Sequence, residues 1–237
     1  MSKNCAVILA AGEGKRMKAN KPKPMMEVLD RPMIDWVLDA TEASGVNDTI
    51  LVVGAYGEQL VDHCGDRSAI CWQKERLGTG HAVMMALDYL NASDAENVLI
   101  LNGDAPFMDA ATIAESLALH EANGNAVTVI SARLDDPFGY GRIIQGADGS
   151  FERIVEQKDA TEEEKAIRNV NSGAYWFRRE DLIAPRQADD GQRRPRVLPH
   201  RHHLHPEAGR EERRRLRHGE CRRRPRRERP GTAAGPQ

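Results

Sequence analysis

VILAAGEGKRMKANKPKP, the stretch from residue 7 to residue 24, is an apolar run that breaks into small residues and two glycines before five cations follow. The spacing of Gly12 and Gly14 does not complete the dinucleotide-binding pattern G-x-G-x-x-G, because Met17 stands where the third glycine belongs. A P-loop is excluded as well, since no Ser or Thr follows Lys15. The stretch therefore predicts a buried strand that ends in a loop of exposed backbone.

This loop has the composition of a phosphate-binding site. Small residues leave the backbone N–H groups open, so that these groups form a nest for anionic oxygens. Arg16 and Lys23 would add charge-assisted hydrogen bonds to the same oxygens. The alternative is a plain glycine-rich turn surrounded by solvated lysines, and the spacing alone leaves both interpretations open.

Apolar runs and helical patterns alternate along the first 183 residues. Strand-like runs occupy residues 5–10, 49–54, 97–103, 126–131 and 172–177. Amphipathic helical patterns occupy residues 33–45, 80–93 and 109–124. This order indicates an α/β fold with a Rossmann-like, mostly parallel sheet, helices on both faces and ligands at the carboxyl ends of the strands. A small antiparallel addition is predicted for residues 139–144 and 151–157.

Two further motifs lie where the carboxyl ends of the predicted strands would place ligand-binding residues. Asp104 follows the buried run in LILNGDAPF and could hold Mg²⁺ against phosphates, although a carboxylate that caps the next turn explains it as well. Gly78-Thr79-Gly80 in WQKERLGTGHA precedes the 80–93 pattern, so the first N–H groups of that helix could face a ligand. A capping Thr79 in a tight turn would explain the same residues.

Two polar residues stand within apolar runs near the end of the α/β pattern. They are Glu156 in IVEQKDAT and Asn171 in NVNSGAYWF. Sugar hydroxyls would satisfy the hydrogen-bonding groups of both side chains, and so would buried bonds to the backbone. The sequence leaves the two explanations open.

Composition divides the chain near residue 184. Residues 1–183 carry 18 Lys and Arg against 29 Asp and Glu, whereas residues 184–237 carry 16 Arg and no Lys against 7 acidic residues. The second segment also lacks Phe, Trp, Tyr, Ile and Met, so it cannot bury enough apolar surface to fold. We therefore expect one domain over residues 1–183 and a disordered, Arg- and Pro-rich tail.

Composition also indicates the cellular compartment of the protein and the kinds of partner that it binds. Four cysteines form no C-x-x-C pair, which predicts a reduced, cytoplasmic protein with buried thiols. No apolar run approaches the ~18 residues that span a bilayer, and the N-terminal residues read as a strand rather than as a signal peptide, so we expect no membrane partner. The arginine clusters of the tail have no interleaved aromatic residue for base stacking, and HRHHLH at 200–205 has no partners at zinc spacing. We expect neither a specific nucleic acid nor a metal there.

Taken together, the segments within residues 4–183 resemble the nucleotidyltransferase domain of bacterial N-acetylglucosamine-1-phosphate uridyltransferases, usually the N-terminal half of a bifunctional enzyme. The shared motifs, in family order and spacing, are LAAGEGKRM, QKERLGTGHA, NGDAPF, DDPFGYGRII, IVEQKDAT and NVNSG. The resemblance implies a nucleotide-diphospho-sugar transferase fold that makes UDP-N-acetylglucosamine, for peptidoglycan and lipopolysaccharide, and pyrophosphate from UTP and N-acetylglucosamine-1-phosphate. It also implies Mg²⁺ as the cofactor, a cytoplasmic location and a homo-oligomer for the full-length family.

The same resemblance implies a role for each motif residue. The uridine and phosphate pocket would be lined by Leu9, Ala10, Ala11 and Gly12. The catalytic residues would be Arg16 and Lys23 on the phosphates and Asp104 on the magnesium ion. Uracil would be read by Gln73, Gly78 and Thr79. The nucleotide would be flanked by Asn102, Gly103 and Asp104, although the family often has an aromatic residue where Asn102 stands. The acetamido sugar would be held by Gly141, Glu156 and Asn171.

The resemblance stops near Ala184. In the family, a segment like EYYLTD follows, and one like GVNDRVQL, whose Asn is the second metal ligand, closes the domain. A β-helical acetyltransferase half comes next. The chain contains none of these segments. A shifted reading frame can be tested with the genetic code, by joining the last two bases of each codon to the first base of the next codon. In that frame, the possible codons of residues 196–203 can encode EYYLTDI, those of residues 226–233 can encode GVNDRVQL and those of residues 187–192 can encode KLTTDN. We therefore expect residues from about 183–187 onward to be a shifted reading of a transferase gene. The domain would then be incomplete and its activity impaired.

Two other functions remain open at this point. A transferase for another nucleotide or sugar-1-phosphate, such as a thymidylyltransferase or uridylyltransferase for glucose-1-phosphate, would share most of the motifs. A catalytically dead fragment that only binds nucleotide, or whose basic tail associates with nucleic acid, would share them too.

Overall fold

The computed structural model describes residues 4–12, 21–75, 77–147 and 149–184, together with the backbone of residues 221–222. The strands are β1 (Asn4–Ala10), β2 (Glu27–Val28), β3 (Arg31–Pro32), β4 (Asp48–Val53), β5 (Ala69–Trp72), β6 (Asn97–Asn102), β7 (Val127–Arg133), β8 (Arg142–Gln145), β9 (Phe151–Val155), β10 (Asn169–Arg178) and β11 (Cys221–Arg222). The helices are α1 (Met33–Ala43), α2 (Gly57–Cys64), α3 (Thr79–Met84), α4 (Leu87–Ala92), α5 (Ala110–Ala122), α6 (Glu162–Lys165) and α7 (Arg179–Ile183). A 3-10 turn at Lys23–Met25 precedes the β2–β3 hairpin.

The main sheet joins a parallel half to an antiparallel half. In the described part of the chain its order is β11-β5-β4-β1-β6-β10-β8-β9, and β7 also pairs with β10. Strands β5, β4, β1 and β6 run parallel, whereas β10 runs antiparallel to β6 and β7. The predicted α/β fold is confirmed, and so is the antiparallel addition, because β8 and β9 pair antiparallel.

The parallel half buries both faces of its strands. Along β1, Ala6 and Ile8 belong to one apolar cluster, whereas Cys5 and Val7 belong to another on the opposite face. Helices α1, α2 and α5 contribute to the first cluster, and α3, α4 and α7 pack on the second. Burial on both faces explains why β1 and β6 read as continuous apolar runs rather than as alternating ones.

The apolar stripe of α1 confirms the helical pattern predicted from the sequence. Its buried face contains Ile34, Val37, Leu38 and Thr41, at the spacing of one helical face. The helix ends at Ala43, and Gly45 follows with a φ of +90°, a conformation that glycine adopts without steric cost. This helix begins next to the β2–β3 hairpin and helps to place the segment that carries Lys23.

Three elements differ from the sequence-based expectations. The single helix predicted over residues 80–93 is two helices, because bonds from Met85 to Ala82 and from Ala86 to Val83 tighten the chain between α3 and α4. Helix α2 was not predicted, since Leu60 is the one large aliphatic residue on its buried face. Strand β5 was not predicted either, because it has only four residues.

The expectation of reduced thiols is confirmed at two positions and wrong at a third. Cys5 and Cys64 are free and buried, and burial raises the pKa of each thiol to about 12. Cys71, in contrast, is disulfide-bonded. The antiparallel pairing of β11 with β5 sets Cys221 opposite Cys71, a long-range register that cysteine spacing does not reveal.

Within the described ranges, every helix is too short or too polar to pass through a bilayer. The predictions about the tail fall outside the described residues, apart from the backbone of 221–222.

Candidate active site

Two strand ends form the first part of the candidate site. Strands β1 and β6 are neighbours in parallel register, so Leu9 lies opposite Asn102. The N–H of Gly103 donates to the carbonyl of Leu9 over 2.9 Å, which ties the loop after β6 to the end of β1. A side chain at Gly103 would be crowded, because a Cβ there would lie 3.2 Å from Pro24 Cγ and 3.3 Å from Leu9 O. Glycine at this position therefore favours the close approach of the two loops.

The Lys23 corner consists of Gly12, Lys23, Gly103 and Asp104. The N–H of Lys23 donates to the carbonyl of Gly12 over 3.3 Å, and its Nζ lies 2.5 Å from Asp104 Oδ2. The side chains of Lys23 and Asp104 are 47% and 29% exposed, so both charges border solvent. Gly12 is exposed, and a Cβ there would meet none of the described residues within 4 Å. An ammonium, a carboxylate and exposed backbone thus lie together near the carboxyl ends of β1 and β6.

The four residues predicted to line the phosphate pocket, Leu9, Ala10, Ala11 and Gly12, are described, whereas the predicted catalytic residue Arg16 is not. Ala10 and Ala11 are buried and lead the chain into the exposed Gly12. Arg16 belongs to the undescribed segment 13–20. Its predicted contact with phosphate stays a prediction.

Gln73 occupies the start of the loop between β5 and α3. Its N–H donates to the carbonyl of Val53 over 2.8 Å, which holds it at the carboxyl end of β4, and its side chain is buried. Its Nε2 lies 3.1 Å from the carbonyl oxygen of Gly78 and 3.0 Å from His81 Nδ1. The predicted residues Gln73 and Gly78 are therefore in contact. His81 was missed, although it stands in the same GTGHA motif.

Gly78 and Thr79 lie at the beginning of α3. Gly78 has a φ of +96° and is the N-cap residue, and Thr79 is the first helical residue and is exposed. The alternative in which Thr79 caps the helix is therefore wrong, because the chain enters α3 through a conformation that favours glycine.

Asn102 links the Lys23 corner to the antiparallel half of the sheet. It ends β6, and a Cβ at Gly173 of β10 would collide with its amide group. Gly173 has a φ of +78° and lies where the pairing of β10 with β7 shifts register. The irregularity in β10 thus leaves room for the Asn102 side chain at the strand end.

The Glu156 corner consists of Gly141, Glu156, Asn171 and Tyr175. A Cβ at Gly141 would lie 3.3 Å from Glu156 Oε1, and the N–H of Asn171 donates to the carbonyl of Gly141 over 2.9 Å. The Asn171 Nδ2 donates to the Tyr175 hydroxyl over 2.7 Å, and Asn171 Oδ1 lies 3.0 Å from the same oxygen. The three predicted residues are therefore brought together, and Tyr175 is an addition that the sequence did not indicate.

The electrostatics of this corner act on the tyrosine hydroxyl. Burial raises the pKa of Tyr175, the negative charge of Glu156 raises it further, and the hydrogen bond with Asn171 opposes the shift. Tyr175 is consequently a neutral hydroxyl at physiological pH, able to donate as well as accept.

Arg142 supports the Glu156 corner from inside the protein and was missed by the sequence analysis. Its side chain is only 1% exposed, and Nη1 donates to the carbonyl of Tyr140. Its Nη2 donates to Gln157 Oε1 over 2.8 Å and to the carbonyl of Lys165 over 3.2 Å. One buried guanidinium thus joins the loop before β8, the end of β9 and the end of α6. The sequence feature that could have indicated a buried arginine is the charged residue within the GYGRII segment.

Asp104 fits a magnesium ion held partly by substrate. The described residues contain no cluster of three or more His, Cys, Asp or Glu side chains that would enclose a metal by themselves. Mg²⁺ is commonly bound by one or two carboxylates together with phosphate oxygens, and a partly exposed carboxylate at a strand end provides the protein's share. The residue that caps α5 is Asp109, which accepts from Thr112 over 2.8 Å, whereas the Asp104 carboxylate contacts Lys23.

Two cavities of the described residues lie away from these corners. One of about 330 Å³ is bordered by Trp36, Phe107 and Met108, and one of about 290 Å³ is bordered by Leu119, Val129 and Phe151. None of the predicted site residues lines either cavity. Neither cavity therefore belongs to the candidate site.

Comparison with known proteins places these motifs in a family. Residues 6–205 match the MobA-like NTP transferase domain. The chain is 47% identical over 184 residues to the bifunctional protein GlmU of Heliobacterium modesticaldum, a match that covers 78% of this chain and 40% of that protein. It is 49% identical over 169 residues to GlmU of Thermoanaerobacter pseudethanolicus, covering 71% of this chain and 36% of that protein. The chain thus spans about two fifths of the length of the curated relatives it matches.

A solved structure agrees with the fold. A Bacillus anthracis chain named a "Putative Glucose-1-Phosphate Thymidylyltransferase" superposes with a TM-score of 0.65 at 19% identity, covering 76% of this chain and 73% of that one. At this identity the likeness concerns the fold alone. The sequence resemblance to the uridyltransferases is confirmed by the GlmU relatives, and the match over most of the chain shows that this protein belongs to the family of MobA-like NTP transferase domains.

Proposed function

We propose that the chain is a uridylyltransferase domain that makes UDP-N-acetylglucosamine and pyrophosphate from UTP and N-acetylglucosamine-1-phosphate. The observation that carries the proposal is the contact of Lys23 with Asp104 beside the open backbone of Gly12, one strand away from the Glu156 corner. A triphosphate and a sugar phosphate are the two substrates that such neighbouring corners suit. UTP is made in the cytoplasm, so the proposal places the chain there.

In the proposed reaction, a phosphate oxygen of the sugar-1-phosphate attacks the α-phosphorus of UTP in line, and pyrophosphate leaves. The backbone from Leu9 to Gly12, together with Lys23 and Arg16, would hold the phosphates and neutralise their charge. Asp104 would bind Mg²⁺, which supplies charge neutralisation on the phosphates when present. No protein nucleophile is needed, because positioning and charge account for catalysis of this type.

The two substrates would be recognised by different residues. Gln73, Gly78 and Thr79 would contact uracil, and Asn102 would lie between nucleotide and sugar. Gly141, Glu156 and Asn171 would hold the acetamido sugar, whose hydroxyls suit a carboxylate and an amide that protein groups leave partly free.

Pyrophosphate release from UTP and N-acetylglucosamine-1-phosphate in the presence of Mg²⁺ tests the proposal. A panel that includes glucose-1-phosphate and dTTP separates it from the other sugar nucleotidyltransferases. Glu156→Gln should raise the KM for the sugar phosphate about tenfold and leave the KM for UTP unchanged. The matched control is Glu163→Gln on the exposed face of α6, which should change neither value. Preference for another sugar phosphate would contradict the assignment.

We further propose that residues from about 183–187 onward are translated in a shifted frame and that the chain is therefore impaired. Support comes from the codon arithmetic and from the composition of residues 184–237. A gene with the frame restored should give a more stable protein with higher turnover. Full activity from the present chain would contradict this proposal, and resequencing around codons 180–190 tests its origin.

A nucleotide-binding fragment without activity is the competing function. Calorimetry with UTP and Mg²⁺, with and without residues 184–237, identifies it by binding in the absence of turnover. Salt-sensitive DNA binding that disappears with those residues would favour a role for the tail instead.

A further inference from the structure

We propose that His81 is a positioning residue that locks the Gln73 amide as a hydrogen-bond acceptor and thereby sets a preference for uracil over cytosine. The inference rests on the proposed use of UTP and extends it to the origin of base selectivity. It concerns one side chain that the motif analysis did not select.

The lock begins with the two hydrogens of the Gln73 amide nitrogen. One points to the carbonyl oxygen of Gly78 at 3.1 Å, and the other points to His81 Nδ1 at 3.0 Å. A backbone carbonyl can only accept, so it fixes the amide with Nε2 on this side. His81 Nδ1 must then accept the second hydrogen, which places the ring proton on Nε2. The two contacts together assign both the amide orientation and the imidazole tautomer.

The reverse orientation of the amide is unfavourable. It would set Oε1 against the lone pairs of the Gly78 carbonyl and of His81 Nδ1 and would leave both acceptors without a donor. Gln73 is only 5% exposed, so water does not easily compensate. The amide therefore presents Oε1 alone, and this atom has no hydrogen-bond partner among the described residues.

Within the described part of the chain, no hydrogen bond at His81 Nε2 competes with the contact at Nδ1 in setting the tautomer. The Nε2 atom is buried and has no partner among the residues that the structure describes. The only protein hydrogen bond that the described residues give the ring is the one at Nδ1. The ring is thus held through the contact that orients Gln73.

If the Gln73 amide is fixed with Oε1 as the acceptor, it can distinguish uracil from cytosine. In a uridine nucleotide the only ring N–H is at N3, whereas cytosine has a lone pair at N3. Oε1 of Gln73 facing that position would accept from uracil and repel cytosine, and sites that hydrogen-bond an N–H reject analogues that lack it. A base with a methyl group at C5 keeps the N3–H and should be treated as uracil.

The test measures the affinities of UTP, CTP and 5-methyl-UTP for the full chain with Mg²⁺, by calorimetry. His81→Phe keeps the ring but removes the acceptor, and it should lower the UTP-to-CTP affinity ratio about tenfold. The affinity for 5-methyl-UTP should follow that for UTP. His81→Asn offers a carbonyl oxygen near the place of Nδ1 and should restore most of the ratio. Equal weakening of UTP and CTP by His81→Phe, or an unchanged ratio, would overturn the proposal.

A second measurement does not depend on any variant. Nitrogen chemical shifts of His81 in the unchanged protein should show the tautomer with the proton on Nε2, and a proton on Nδ1 would overturn the lock. If the unchanged chain binds neither UTP nor CTP, the proposed function fails, whereas the tautomer still tests the contact between His81 and Gln73.

Discussion

The Lys23 corner gathers residues that follow the parallel strands β1 and β6 together with the 3-10 turn at Lys23–Met25, whereas the Glu156 corner gathers residues next to β8 and β9 and within β10. The first corner is positioned by strands buried in two apolar clusters. The second depends on a buried guanidinium that bonds to three separate segments. Packing therefore determines one corner and polar connections determine the other.

The substitution with the largest expected effect removes the hydrogen bonds that support the Glu156 corner. Arg142→Ala removes hydrogen bonds to Tyr140, Gln157 and Lys165 and empties the buried position of the guanidinium. Because hydrogen bonds from a charged donor are worth roughly 1.5–3 kcal/mol, the free energy of unfolding should fall by about 3 kcal/mol, as measured by urea denaturation.

The control for Arg142 is another arginine in the same antiparallel region. Arg153 pairs with Glu164 over 2.5 Å, but its side chain is 41% exposed. Arg153→Ala should therefore cost less than about 1 kcal/mol. Equal losses from the two substitutions would show that the antiparallel half does not depend on the buried guanidinium.

The next effect concerns the chemistry of the Lys23 corner. Asp104→Asn keeps the shape of the side chain but removes the charge that would hold Mg²⁺, so kcat/KM for UTP should fall about a hundredfold. The magnesium dependence of UTP affinity should weaken with it. Asp109→Asn, five residues further along, retains an N-cap and should leave both values unchanged. Unchanged kinetics in Asp104→Asn would remove the carboxylate from the mechanism.

Two glycines of the Lys23 corner should separate packing from binding. A Cβ at Gly103 would press on Pro24, Ile34 and Leu9, so Gly103→Ala should cost about 2 kcal/mol in unfolding free energy. None of the described residues lies within 4 Å of a Cβ at Gly12, so Gly12→Ala should change stability by less than about 0.5 kcal/mol and weaken UTP binding about tenfold. Thermal unfolding and calorimetry measure the two quantities, and a stability loss at Gly12 would contradict the distinction.

The smallest effect concerns exposed ion pairs on the parallel half. Burial alone would raise the pKa of Asp39, but hydrogen bonds from Arg31 and Arg67 outweigh it and lower the pKa below its ordinary value of 3.8. Its stabilising contribution is present above the ordinary pKa and is lost as pH falls through the lowered value. The carboxylate is half-exposed, so Asp39→Asn should cost less than about 1 kcal/mol at neutral pH.

Unfolding measurements from neutral to acidic pH check this difference. The gap between the unchanged protein and Asp39→Asn should close as the pH falls below the ordinary aspartate range. A gap that widens in acid would mean that the two arginines do not stabilise the ionised carboxylate.

The Lys23 corner was largely predictable from the sequence, and the surroundings of the Glu156 corner were not. Lys23 and Asp104 follow glycine-containing motifs after β1 and β6, and the expectation that ligands bind at the carboxyl ends of parallel strands places both at one edge of the sheet. The sequence did not indicate the roles of Arg142, Tyr175 and His81, because these roles depend on partners that strand pairing and loop packing bring into contact. A charge in an apolar run indicates burial, but it does not indicate which carbonyl oxygens will receive its hydrogen bonds.

By itself the sequence determined the α/β class, the order of β1, α1 and β6, and the motif residues, because apolar periodicity and strand-end glycines are local properties of the chain. Only the tertiary structure decided that β10 runs antiparallel beside β6, that Arg142 joins three segments and that His81 contacts Gln73. The physical reason is that a hydrogen-bonding group takes whichever partner the packed chain brings within about 3 Å, and that choice is made by contacts between distant segments.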